Sequence, residues 1–163
     1  MLFLDHIYLI PLLPAFGAAV MFFFGRRLQK SAVNAVCVGV VVVAFLWGCG
    51  AVLQYRNWIA ANGYHPYERV LFTWLGSDTG HLNYVTHDGH TLANFQADAG
   101  FLLDPLSSVW LLFVTGVGML IHIYSTGYMA HEGGYYRFFG YLNLFMFSML
   151  VLILANNYAL LFV

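Results

Sequence analysis

Residues 31–55 read SAVNAVCVGVVVVAFLWGCGAVLQY, a run with no Asp, Glu, Lys or Arg. A helix rising about 1.5 Å per residue needs roughly 20 apolar residues to cross hydrocarbon, and this stretch exceeds that. Residues 6–25, 105–131 and 138–163 are equally free of those four residue types. Backbone amides cannot go unpaired in lipid, so only helices or closed barrels cross it, and these runs lack the two-residue alternation of a barrel strand. The reading is an all-α integral membrane fold with helices at about 6–25, 31–55, 105–127 and 138–155. An apolar pattern resumes over 158–163, which predicts the start of a fifth helix in a polypeptide that continues.

Composition agrees. Hydrophobic residues make up 61% and charged residues 8% of the 163 positions, against about 25% charged in soluble domains. Six Lys plus Arg face seven Asp plus Glu, so no basic surface points to nucleic acid as a partner. Cys37 and Cys49 fall in one apolar run and read as packing residues, not as a disulfide or metal pair. The N-terminus has Asp5 where a signal peptide would be basic, and no small-residue cleavage pattern follows, so it reads as retained.

Cations set the orientation. Arg26, Arg27 and Lys30 cluster after the first span and Arg137 lies between the third and fourth, which predicts that both loops are cytoplasmic. The N-terminus and the 56–104 loop are then extracytoplasmic. Within that loop Val70, Phe72 and Trp74 alternate, as do Phe95, Ala97, Ala99 and Phe101, predicting an external β-hairpin that turns near Asp88-Gly89. The first span, with Pro11, Pro14 and Gly17, reads as bent and protein-facing. The second, rich in Val, reads as lipid-facing.

The third span starts where Asp104 can cap the free amides and Pro105 occupies the first helical position, which needs no backbone donor. Ser108, Leu111, Thr115, Gly118, His122 and Ser125 then recur at three-and-four spacing and form one small, polar face directed at other helices. The unperturbed pKa of a histidine is near neutral and His122 lies inside a span, so it is the candidate for carrying a proton; the plainer alternative is a histidine bonded to a neighbour. Asn143 is a polar group in hydrocarbon and reads as a structural residue bonding to another helix. His81, His87, Asp88 and His90 have ligand chemistry but no rigid metal spacing, so no metal site is assigned and a solvated loop is the reading. Tyr124, Tyr128, Tyr135, Tyr136, Phe138, Phe139 and Tyr141 read as an aromatic belt at headgroup depth. No phosphate loop, nucleophile triad, haem motif or iron–sulfur cysteine set occurs, so no catalytic centre is assigned to this segment.

Gly100-Phe101-Leu102-Leu103-Asp104-Pro105-Leu106-Ser107, followed by Val114-Thr115-Gly116-Val117-Gly118, Leu120-Ile121-His122 and Tyr124-Ser125-Thr126-Gly127-Tyr128-Met129, closely resembles the subunit L family of NADH-quinone oxidoreductase, respiratory complex I. Tyr136-Arg137-Phe138-Phe139, Tyr141-Leu142-Asn143-Leu144-Phe145 and Ile10-Pro11-Leu12-Leu13-Pro14 extend the match. The resemblance implies an antiporter-like, non-redox subunit of the membrane arm in the bacterial inner membrane, contributing to proton translocation. NADH, FMN, iron–sulfur clusters and quinone would be handled by partner subunits, and none bound here. In that family the glutamate tied to proton transfer follows a Gly-Trp pair on the helix beginning here at Tyr158, and neither it nor the family's lysines occur in these residues. A subunit of a multi-subunit sodium/proton antiporter, which shares several motifs, and a small membrane scaffold protein are the alternatives.

Overall fold

The computed structural model describes residues 2–75, 83–85, 91–94 and 97–161. The loop carrying His81, His87, Asp88 and His90 lies outside the described residues, and so do Asp78 and Phe95. Among the described residues, four helices, spanning Leu9–Arg27, Lys30–Ala61, Pro105–Tyr128 and Tyr135–Leu154, are long and apolar enough to cross a membrane.

A separate short helix precedes the first of these spans. A short helix α1 (Leu2–Asp5) precedes a turn, and α2 runs over Leu9–Phe24 with Pro14 inside it. Pro11 has no N–H to give the Ile7 carbonyl, which instead accepts from Ile10 N at 3.1 Å, so a tight turn replaces the first α-helical bonds. Gln54 Oε1 accepts from Phe3 N at 3.0 Å and Leu4 N at 3.2 Å, occupying free amides of α1.

After a 3-10 turn at Gly25–Arg27, α3 occupies Lys30–Asn62. It continues past residue 55, where the charge-free run ends, because Arg56 and Asn57 carry no helix-breaking backbone. Gly63, at φ 84°, caps it and donates its N–H to Ile59 O. The second span is therefore longer than its apolar segment, and the loop begins later than 56. Nor is this helix lipid-facing all round: although Val43, Leu46 and Leu53 are exposed, Val33, Cys37, Val41, Ala44, Ala51 and Tyr55 are buried. They recur at three-and-four spacing and place α3 against α2, α4 and α5. A uniformly apolar helix has no compositional stripe from which to read its packed face.

Beyond α3, β1 (Tyr67–Leu75) pairs antiparallel with β4 (Ala97–Leu103), and between them β2 (Asn83–Val85) pairs with β3 (Thr91–Asn94). In the outer pair Tyr67 faces Leu103 and Val70 faces Gly100, and irregularities follow Val70 and Thr73. Ala99, Phe101 and Leu103 turn inward onto the helices. The hairpin is fastened to the bundle at several points. Tyr67 Oη donates to Asp5 Oδ1 at 3.1 Å, and Trp58 stands edge-on to the Tyr67 ring at 5.9 Å. Burial, and then that bond to Asp5, hold the Tyr67 phenol above its ordinary pKa.

Helix α4 (Pro105–Tyr128) and α5 (Tyr135–Leu154) complete the bundle, and α6 (Tyr158–Leu161) begins after Asn157. The fourth span thus starts at Tyr135, just after Gly134, not at 138. At its other end Asn156 Nδ2 donates to Glu68 Oε1 at 2.9 Å while its Oδ1 accepts from Gly100 N at 3.2 Å. Asn157 Nδ2 donates to the Asp98 carbonyl, and its Oδ1 caps Leu160 N at 2.9 Å. Two residues that the sequence marks only as a turn therefore join the hairpin to two helices.

Candidate functional site

Asp104 accepts from Ser107 N at 2.6 Å, and Ser107 Oγ accepts in return from Asp104 N at 2.8 Å. This reciprocal capping box, with Pro105 at the first helical position, fixes where α4 begins. The start of the helix in turn fixes which face its polar residues present. Ser108, Leu111, Thr115, Gly118, His122 and Ser125 are all buried, as their spacing predicts.

Most of that polar face is satisfied within its own helix. Ser108 Oγ donates to Asp104 O at 2.7 Å and Thr115 Oγ1 to Leu111 O at 2.6 Å. His122 differs. Its side chain is fully buried, with Nδ1 2.7 Å from the Gly118 carbonyl. A carbonyl can only accept, so Nδ1 carries the hydrogen and the neutral ring presents a lone pair at Nε2. That Nε2 is buried without a hydrogen-bond partner among the described residues. The ring lies against Phe139, centroids 6.3 Å apart, and borders a cavity of about 150 Å³ whose walls include Val117, Gly118, Leu142 and Met146.

Asn143 stands one turn from Phe139 on α5 and is also fully buried. Its Nδ2 donates to Phe139 O at 3.0 Å, so the bond expected to another helix is made within α5 instead. Its Oδ1 has no partner among the described residues and reaches α2, where a Cβ on Gly17 would lie 2.8 Å from it. Close approach explains both inward glycines: a Cβ on Gly118 would collide with Met146 Sδ. The site therefore holds an acceptor nitrogen on α4 and an acceptor oxygen on α5. Of the two, only the imidazole nitrogen is a base that can accept a proton.

The aromatic belt is partly interior. Tyr124, Tyr128 and Tyr141 are exposed, but Tyr135 and Phe139 are buried. Tyr135 Oη donates to Asn34 Oδ1 on α3 and reaches Thr126 O at 3.3 Å. Neither Asn34 nor Gln54 stands out in the sequence, because one polar residue in an apolar helix does not show which neighbour it meets.

These features define a multi-pass helical membrane protein with a buried polar helix face. A family model described as the N-terminus of chain 5 of NADH-ubiquinone oxidoreductase (complex I) matches residues 90–139. NADH-quinone oxidoreductase subunit L of Mycobacterium tuberculosis is 36% identical over 159 residues, covering 97% of this chain and 22% of that protein. The subunit L proteins of Neisseria meningitidis and Escherichia coli are 34% and 35% identical over 94% and 93% of the chain, which covers 20% and 22% of them. Along nearly its whole length the chain is similar to NADH-quinone oxidoreductase subunit L proteins, and it spans about a fifth of the length of the curated relatives it matches.

Proposed function

We propose that this chain serves in a proton-translocating NADH:quinone oxidoreductase as part of an antiporter-like, non-redox membrane subunit. The observation that carries the reading is similarity to subunit L proteins along nearly the whole chain. Its partners are the other membrane-arm subunits and the lipid bilayer. Electron transfer from NADH through FMN and iron–sulfur clusters to quinone takes place in other subunits. The protein lies in the bacterial inner membrane, with the loops holding Arg26, Arg27, Lys30 and Arg137 in the cytoplasm and the N-terminus and hairpin outside.

Within this role His122 is the candidate proton carrier, supported by its buried Nε2, which has no hydrogen-bond partner among the described residues. The test uses membranes of a strain carrying His122→Ala in the assembled complex. Assembly and NADH oxidation are expected to persist while protons pumped per NADH fall. An unchanged proton-to-electron ratio in a normally assembled complex would reject the role of His122. The wider reading fails if the protein purifies in an assembly lacking flavin and iron–sulfur centres.

A further inference from the structure

We propose that the end of the bundle where α2 meets α3 and α4 meets α5 binds the headgroup of an anionic phospholipid. A cavity of about 410 Å³ opens there, and its walls include Arg26, Lys30, His131, Glu132, Gly134 and Tyr136. Arg26 stands in the 3-10 turn and Lys30 at the first residue of α3, while the opposite wall comes from the α4–α5 connection. The cavity is thus assembled from two chain segments about a hundred positions apart, which Lys30 ties together by donating from Nζ to Ala130 O at 2.5 Å.

Charge selects the ligand. Lys30 lies over the Tyr135 ring at 5.6 Å, and Arg137, just beyond the rim, donates from Nε to Tyr136 Oη at 3.1 Å. These partners are neutral and do not themselves offset the cationic charge. With Arg26 and Arg27, the two segments 25–30 and 130–137 that meet here carry four cations and one carboxylate, Glu132. The first turn of α5 adds to this, since its N-cap Gly134 supplies no side chain to accept from the free amides.

Level selects the source. All four candidate spans begin or end here, and the residues flanking the cavity are those of a membrane boundary. Phe22, Phe23 and Phe24 are exposed at the end of α2, with Tyr124 and Tyr128 exposed at the end of α4. Apolar rings at this height meet acyl chains, which puts the cations within the phosphate layer. A net-negative lipid such as phosphatidylglycerol satisfies both requirements, with its phosphate toward Arg26 and Lys30 and its acyl chains along the phenylalanines.

The experiment places the full-length chain, in its assembled complex, in nanodiscs containing a headgroup-photoactivatable phosphatidylglycerol or the matching phosphatidylcholine, and maps crosslinked peptides by mass spectrometry. Phosphatidylglycerol is expected to label peptides covering 25–30 and 131–137 several-fold more than phosphatidylcholine. Arg26→Gln/Lys30→Gln should lose that preference, Arg26→Lys/Lys30→Arg should keep it, and Arg56→Gln/Arg69→Gln at the other end should not change it. Equal labelling by both lipids, or a preference unmoved in Arg26→Gln/Lys30→Gln, overturns the proposal. So does complete displacement by inorganic phosphate at constant ionic strength, which would assign the site to a soluble anion. Loss of preference in the charge-conserving variant as well would reveal a packing effect and also overturn it.

Discussion

Replacing Asp104 by Ala removes the acceptor at the start of α4, and the structure sets the scale of the effect. Oδ1 accepts from Ser107 N at 2.6 Å and from Ser107 Oγ at 2.5 Å. Ser107 is only 8% exposed, so water cannot readily replace the lost acceptor at its amide. Capping losses run from about 0.5 to 2 kcal/mol, and this burial places the cost in the upper half, about 1.5 kcal/mol, or roughly tenfold in the folded-to-unfolded ratio. Asn at the same position keeps an acceptor and should recover most of that. The assay is equilibrium unfolding of the purified protein in mild detergent, followed by tryptophan fluorescence, for wild type, Asp104→Ala and Asp104→Asn. Pumping per assembled complex should remain normal, because the carboxylate is engaged in the cap. Equal stability of all three proteins, or a pumping defect in fully assembled Asp104→Ala, would refute this account.

Gly17→Leu would push a side chain into Asn143 and Val40, so a loss of about 1–3 kcal/mol from overpacking is expected; a calorimetric midpoint equal to wild type would show that α2 and α5 are not in close contact there. The Tyr67 phenol is held above its unfolded pKa of about 10, so the neutral form is favoured when folded and its stabilising contribution is intact below that pH. That contribution is lost as pH rises through the folded value. Ultraviolet titration should accordingly show one fewer late-ionising tyrosine in Tyr67→Phe than in the wild type, and identical titration curves would contradict the raised Tyr67 pKa.

Much of this fold is written locally. Hydrocarbon excludes unpaired amides and charges, so the charge-free runs alone determine that four helices cross and roughly where. The Asp104-Pro105 start and the buried stripe from Ser108 to Ser125 follow from capping chemistry and helical periodicity, both short-range. His122 was legible as a titratable group inside a span, although its Nδ1 contact and bare Nε2 were not.

Only the tertiary structure decided what the helices do to one another. The long middle of α3 is apolar all round, and nothing local distinguishes the face that packs against α2, α4 and α5. Asn143 needs a partner in hydrocarbon, but no local pattern shows that its own helix supplies one at the Phe139 carbonyl. Asn34, Gln54, Asn156 and Asn157 act through contacts with residues distant in the chain. Periodicity cannot report such contacts, because it shows which way a side chain points along its own helix and not what another helix brings to meet it.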